Sequence, residues 1–251
     1  MGSFKISRSN PAHADIWNNF TNTLDCYLCN CRKVCFIKKR YNKNVKLSKI
    51  TTYLLALSVL ASLFIIAKGN VFAPTSILYL VWNLCLAWVP YIISSVWIKK
   101  DTSLADGIPF FIIWLIFFPN APYVVTDVIH VILSPNKSLW YDSLVFFLFG
   151  WIGLLLGMIS LSHIHAWIKK YVSAITSEII IFAICALSSF GVFIGRVERW
   201  NSWDLFLHPL SIFQAFYTTP IYHNSIVFMI AFTIFTYSIY KTVSVLMDNK
   251  E

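Results

Sequence analysis

Charge is scarce in this chain, since only 12% of its 251 residues are Asp, Glu, Lys or Arg. From residue 50 onward, several long stretches contain none of these four residue types. Together with 58% hydrophobic residues and a mean hydropathy of +0.67, this scarcity excludes a soluble globular domain and a disordered chain. The uncharged stretches are Ile50–Ala67, Val71–Ile98, Gly107–Thr126, Ser143–Ile168, Ile179–Gly195 and Leu205–Tyr240.

Stretches of this length indicate membrane spans, because about 20 helical residues cross ~30 Å of hydrocarbon. Their apolar residues are continuous and do not alternate with polar ones, which favours helices over the strands of a transmembrane barrel. We therefore predict an all-α fold, a polytopic transmembrane helix bundle with about six spans. The predicted spans are 50–67, 75–98, 104–118, 140–163, 174–195 and 224–247.

Acidic residues are nearly absent from the first 49 residues, where Asp15 and Asp25 stand against ten Lys and Arg residues. A basic segment beside the first span is typical of the cytoplasmic side, where the leaflet is anionic. We predict a basic cytoplasmic tail over 1–49 that contacts anionic lipid head groups and not nucleic acid, followed by a transmembrane domain over 50–247. The later loops favour cytoplasmic N- and C-termini in the plasma membrane. Since the tail lacks the apolar core of a signal peptide, we expect the first span to act as an uncleaved membrane signal.

Cysteine is infrequent, with six in the chain, yet four of them cluster in the tail as Cys26, Cys29, Cys31 and Cys35. Four thiols can bind zinc, but this spacing lacks the paired C-x2-C arrangement that is typical of zinc sites. Reversible lipidation beside a span and a plain reduced cluster are equally open interpretations.

Glycine is also rare, with eight in the chain, and four of the eight form two G-x-x-x-G spacings. Small residues at this spacing let helix backbones approach closely. We interpret Gly153 with Gly157, and Gly191 with Gly195, as packing sites between spans of one chain, with homodimerisation as the alternative.

Proline interrupts the span pattern in two places. The third span is short and runs into Pro119-Asn120-Ala121-Pro122, so we predict that it is broken there, because proline ends or kinks a helix. Between Pro209 and Pro220, polar residues recur at helical spacing, which predicts a short interfacial helix before the last span.

Polar side chains gather at the outer face of the predicted topology, from the loop after span three, the start of span four and the loop after span five. The cytoplasmic half of the predicted spans contains few polar side chains. We interpret His163 and His165 as interfacial residues at the inner end of span four. Ionisable residues near a membrane core cost about 2.5–3.5 kcal/mol each, so their placement indicates a polar site. We predict substrate-binding roles for Asn83, Asn120, Tyr123, Asp142, Arg196, Arg199 and Asn201, and catalytic roles for Asp127, His130 and Asp204.

The acidic and imidazole groups of this site allow two interpretations. Asp127 and His130 lie three residues apart, and Asp204 and His208 lie four apart, so each pair would share a helix face. Such groups can hold a divalent metal such as Zn²⁺ or Mn²⁺, but we favour ion pairing of the acids with the arginines. In particular, we predict that Asp127 lies within ~12 Å of Arg196, about a Debye length.

For the arginines, Asn120 and Asp142, the sequence also allows more than one role. Arg196 and Arg199 suit a clamp for phosphate or carboxylate, a structural ion network or interfacial anchoring. Asn120 can donate to a substrate oxygen or bond the backbone freed by the helix break. Asp142 suits the N-terminus of a helix, unless it faces Arg196.

These residues form recognisable strings, and together they resemble domain-of-unknown-function family 1361, a bacterial family of small multi-pass membrane proteins. The resemblance covers about residues 50–245. It implies that the outer-face residues are a signature of the family, and it implies no activity. The strings are NLCLAWVP at 83–90, FPNAPY at 118–123 with TD at 126–127 and His130, YD at 141–142, and GRVERWNSWD at 195–204.

Three functions remain open at this stage. The first is a one-sided polar site that opens to the extracytoplasmic face and binds or processes an anionic or lipid-linked envelope substrate. The second is a small transporter or permease subunit, which the one-sided polarity disfavours because transport needs polar groups reachable from both sides. The third is a membrane scaffold or assembly factor. No nucleophile-and-base constellation is visible, so an enzymatic reaction and any cofactor stay unassigned.

Overall fold

The computed structural model describes residues 48–67, 74–98, 102–132, 139–197, 210 and 223–248. In these ranges the regular structure is entirely helical. The residues from Ile50 onward belong to one compact unit. The basic tail with its four cysteines, and all of 205–223 except Leu210 and His223, lie outside the described residues. The helices are α1 (Lys49–Ala67), α2 (Pro74–Val96), α3 (Leu104–Phe117), α4 (Asn120–Tyr123), a 3-10 helix (Val124–Val128), α5 (Ile129–Ile132), α6 (Leu139–Ile168), α7 (Ala174–Val197) and α8 (His223–Asp248).

Six helical segments are long and apolar enough to cross a membrane, as predicted. Five of them are α1, α2, α6, α7 and α8, and the sixth joins α3 through most of α5, over Leu104–Val131. The chain is therefore built as a multi-pass membrane protein. Two spans extend well past their predicted ends. The third reaches Val131, where the prediction ended it at residue 118, and α6 continues to Ile168 beyond the predicted end at residue 163.

Helix α6 is the centre of the bundle. In its most apolar window 72% of the residues are buried, against 22% in the corresponding windows of α1 and α8. It packs against α2, α4, the 3-10 helix, α7 and α8. A helix that is apolar on all sides suits this central position in a membrane bundle. One stripe of α6 stays exposed in the bundle, at Trp140, Leu144, Phe147 and Trp151.

The backbone after α3 turns at Phe118 and Pro119 and continues as α4, the 3-10 helix and α5. Pro119 and Pro122 bring no amide hydrogen to the helical ladder. Asn120 donates from Nδ2 to the carbonyl oxygen of Phe117 at 2.9 Å, so its side chain bonds the backbone next to the turn. That contact is the backbone-bonding alternative for Asn120.

Glycines let this segment lie close to its neighbours. A Cβ added at Gly153 of α6 would lie 2.8 Å from the carbonyl oxygen of Ala121, and one at Gly157 would lie 2.9 Å from Ala121 Cβ. On α7, a Cβ at Gly191 would lie 3.0 Å from Pro119 Cγ. These three glycines therefore serve close packing within one chain, as predicted, and they fix the position of the segment that carries Asp127.

Candidate functional site

A buried ion pair joins the 3-10 helix to the end of α7. Arg196, in the last turn of α7, donates from Nη2 to Asp127 Oδ1 at 2.6 Å. Asn83 of α2 donates from Nδ2 to Asp127 Oδ2 at 2.9 Å. The Asp127 side chain is 1% exposed and that of Arg196 is 18% exposed. The predicted proximity of Asp127 and Arg196 is therefore confirmed, and each oxygen of the buried carboxylate accepts a hydrogen bond.

The guanidinium of Arg196 is held by two further residues. Its Nε donates to Thr126 Oγ1 at 3.0 Å, and its Nη2 also donates to that hydroxyl oxygen. Thr126 in turn donates to the carbonyl oxygen of Tyr123 at 2.7 Å. The guanidinium carbon lies 4.3 Å from the centroid of the Tyr123 ring, a cation–π contact. Because Asp127, Thr126 and Tyr123 fix it from different sides, the orientation of Arg196 is well defined.

The third nitrogen of this guanidinium meets His130. Arg196 Nη1 lies 3.2 Å from His130 Nε2. Since every guanidinium nitrogen is a donor, Nε2 is the acceptor in this contact. His130 is exposed, and its ring meets Tyr79 edge-on with the centroids 5.2 Å apart. We call this group the Arg196 cluster; it consists of Tyr79, Asn83, Tyr123, Thr126, Asp127, His130 and Arg196.

Two members of the Arg196 cluster were not predicted as site residues, although the sequence carries a signal for each. Tyr79 lies four residues before Asn83, which places both on one face of α2. Its hydroxyl is buried and has no hydrogen-bond partner among the described residues. Thr126 directly precedes Asp127 in the TD string.

Of the other predicted site residues, the structure describes Asn120 and Asp142. Asp142 is buried in the first turn of α6, the position where a helix N-terminus favours a carboxylate. The predicted site residues Arg199, Asn201 and Asp204 lie outside the described residues, as does His208. Among the described side chains, no group of three or more His, Cys, Asp or Glu residues is arranged to hold a metal ion.

A second polar group, which was not predicted, lies near the start of α7. His165 of α6 is buried, where the sequence predicts an interfacial residue. Its Nδ1 shares a hydrogen bond with the Tyr240 hydroxyl, and its Nε2 lies 3.1 Å from Ser177 Oγ. This burial explains why α6 continues past residue 163, since His165 is satisfied inside the bundle and does not need the interface.

An ion pair extends this group. Glu178 Oε1 accepts from Lys241 Nζ at 3.0 Å, and Glu178 Oε2 accepts from the Tyr237 hydroxyl at 3.1 Å. The polarity of the described helices is therefore not confined to one end of α7, which corrects the one-sided picture. We call this second group the His165 cluster; it consists of His165, Ser177, Glu178, Tyr237, Tyr240 and Lys241.

The family assignment follows from a region that contains every member of the Arg196 cluster except Tyr79. A family model described as "Protein of unknown function (DUF1361)" matches residues 82–239, well over half of the chain. The chain belongs to this family. The matched region is narrower than the resemblance over about 50–245, but it includes Asn83, Asp127 and Arg196. No curated protein and no solved structure matches the chain.

Proposed function

We propose that this multi-pass membrane protein binds the anionic group of a membrane or envelope substrate at the Arg196 cluster, from the extracytoplasmic side. The observation that carries the proposal is the partial exposure of a guanidinium whose orientation is already fixed. Asp127 and Thr126 hold Nε and Nη2, while the Nη1 edge turns to the exposed His130. A guanidinium held in this way binds phosphate or carboxylate without losing further side-chain freedom.

The position of the cluster favours a lipid-linked or headgroup anion. Arg196 lies in the last turn of the Ala174–Val197 span, and His130 lies at the end of the Leu104–Val131 span. Ends of spans meet the headgroup region, where lipid phosphates are concentrated. The distribution of Lys and Arg along the chain supports an extracytoplasmic position for this end.

The contacts support different roles for Asp127 and His130, which the sequence predicts as catalytic residues. Asp127 is buried and both of its oxygens accept hydrogen bonds, so its role here is to orient and neutralise Arg196. His130 is exposed, so acid–base work at this site would fall to its imidazole. Asn83 acts through Asp127.

The test is binding of a short-chain phosphatidylglycerol to the full chain, purified in a maltoside detergent that carries no phosphate. We expect Arg196→Lys, which keeps the charge and removes the fork, to weaken binding about tenfold. Lys241→Gln removes a cation from the His165 cluster and should leave binding unchanged. If the wild-type protein does not bind, or if both variants weaken binding equally, the proposal is wrong.

A transporter is the second candidate, because polar clusters occur near both ends of α7. Between them, Thr233 of α8 donates to Ser189 of α7 at 3.0 Å inside the bundle. Flux of a labelled phosphate compound across liposomes that contain the protein distinguishes the two functions. Flux that Arg196→Lys abolishes would favour transport, whereas binding without flux would favour a one-sided site.

A further inference from the structure

We infer that His130 is the second donor to the oxyanion held by Arg196, and that binding of a singly charged phosphate group takes up one proton at this imidazole. This inference rests on the proposed function and adds to it the ligand class and a specificity residue. The ligand class is a phosphate group with one negative charge, from a lipid head group or from free phosphate.

The contact between Arg196 and His130 provides the first step. Nη1 and Nε2 are 3.2 Å apart, and the guanidinium nitrogen can only donate. An imidazolium would direct a second N–H at the same point, so this contact exists only with neutral His130. A neutral imidazole nitrogen is a weaker acceptor for a guanidinium than an oxyanion is. An arriving phosphate oxygen therefore replaces Nε2 as the partner of Nη1.

Charge balance provides the second step. Arg196 and Asp127 form an ion pair at 2.6 Å and cancel one another, so the pair alone offers an anion little net attraction. A proton on His130 adds one positive charge next to Nη1, and it turns Nε2 from an acceptor into a donor. Both changes favour an oxyanion in the same place. Among the described residues, the titratable and charged groups of the cluster around His130 are Tyr79, Tyr123, Asp127 and Arg196, and α6, which packs against α5, begins with Tyr141 and Asp142.

The acids among these neighbours work in the same direction. Asp127 lies beyond Arg196, and the buried Asp142 lies in the first turn of α6, which packs against α5. A negative charge near the site disfavours an incoming anion. The need for a proton on His130 is therefore greater than the ion pair alone implies.

The location of the imidazole favours a singly charged ligand. His130 is exposed at the end of the Leu104–Val131 span, whereas the carboxylate behind it is buried. One added proton compensates one anionic charge, which a phosphodiester carries throughout the neutral pH range. A phosphate monoester carries about −1.5 to −2 charges at pH 7 and would be under-compensated.

The experiment measures binding by titration calorimetry on the full chain in maltoside detergent, between about pH 6.5 and 8.5, a range that starts at the ordinary pKa of histidine. Each titration is repeated in buffers of different ionisation enthalpy, which counts the protons taken up. One arm uses short-chain phosphatidylglycerol, whose phosphodiester does not titrate in this range. The other arm uses inorganic phosphate, which reveals whether the acyl chains contribute.

For phosphatidylglycerol we expect the uptake of up to one proton. The affinity should increase as the pH is lowered, by at most about tenfold for each pH unit, which is the limit for one linked proton. His130→Gln keeps an amide donor that needs no proton, so binding should persist without the pH dependence. His163→Gln is the matched control, because that imidazole belongs to α6 and bonds Ser94 at 3.3 Å, and it should behave as the wild type.

The outcomes separate this inference from the proposed function. Wild-type binding without proton uptake, or an unchanged pH dependence in His130→Gln, overturns the inference and leaves the anion site standing. Failure of the wild type to bind either probe at any pH overturns both. At the low end of the pH range, where inorganic phosphate is mostly singly charged, equal affinity for both probes supports the phosphate chemistry and assigns the source to free phosphate, and much tighter binding of the lipid assigns it to the head group.

Discussion

Arg196 and Lys241 each pair with a carboxylate near opposite ends of α7, but the two pairs differ in burial. Asp127 is inaccessible and also accepts from Asn83, whereas the side chains of Lys241 and Glu178 are 43% and 33% exposed. An exposed pair is screened by its surroundings and contributes about 0–1 kcal/mol. A buried pair leaves an uncompensated charge when one partner is lost. The same kind of contact is thus expected to have very different consequences at the two ends.

The largest expected difference between the two ends comes from removing each carboxylate. Asp127→Ala should destabilise the protein by about 3–5 kcal/mol, because the guanidinium of Arg196, whose side chain is only 18% exposed, loses its counter-charge. Glu178→Ala should cost about 0–1 kcal/mol. The measurement is the thermal unfolding midpoint of each purified variant in one detergent, together with its amount in the membrane fraction.

A double variant is the control for this comparison. The double variant Asp127→Ala with Arg196→Ala leaves neither charge of the pair behind. Its loss of stability should therefore be smaller than the sum of the losses measured for Asp127→Ala and Arg196→Ala alone. If the two single carboxylate variants unfold alike, burial does not distinguish the two ends.

The contact between Asp127 and Arg196 could be predicted because both belong to segments that charge patterning placed on the same side. The number of spans could be predicted for a similar reason, since hydropathy is a property of the sequence alone. Neither reveals which faces of two helices meet. Helix α6 is apolar on all sides, so nothing in its pattern indicated that His165 would meet Tyr240, 75 residues away.

The Asn120 amide shows the same limit at short range. The two prolines around it predicted that backbone groups would be freed, but substrate binding and backbone bonding fitted the sequence equally. The 2.9 Å contact with the Phe117 carbonyl oxygen shows that the backbone bond forms, which the sequence alone did not reveal. The glycines of α6 were recognised as packing residues, but the segment they face could not be read from their spacing.

The second largest effect concerns how closely α6 packs against the backbone of the segment that carries Asp127. Gly153→Ala should cost about 1–3 kcal/mol, because the new methyl would meet the Ala121 carbonyl oxygen at 2.8 Å and backbone cannot easily yield. Gly150 is the matched control on the same helix, where the nearest atom is Val125 Cα at 3.3 Å. There the strain is offset by about 0.5–1 kcal/mol of helix preference for Ala. The same unfolding midpoints, with Gly150→Ala near wild type, check this; equal losses at both positions would contradict it.

A smaller effect is expected to be larger at the His165 cluster than at the Arg196 cluster, the reverse of the carboxylate variants. Tyr240→Phe removes a partner of buried His165 and should cost about 0.6–1.7 kcal/mol, the range for hydrogen bonds between membrane helices. Tyr79→Phe removes a buried hydroxyl with no hydrogen-bond partner among the described residues, so its stability should equal or slightly exceed that of the wild type. Both substitutions keep the aromatic ring, so packing is matched. A loss at Tyr79 as large as that at Tyr240 would mean that its hydroxyl is satisfied in the folded protein.

The smallest expected effect is that of salt on Lys241→Gln. At about 0.05 M salt this variant should be roughly 0.2–1 kcal/mol less stable than the wild type, because an exposed pair is lost. At about 0.5 M salt the difference should shrink, since screening already weakens the pair in the wild type. Asp127→Asn is the comparison, because the buried Arg196 pair is screened much less and its loss should persist at both salt concentrations. If salt reduces the stability losses of Lys241→Gln and Asp127→Asn equally, solvent reaches the Arg196 cluster as freely as it reaches Lys241. Burial would then not distinguish the two ion pairs.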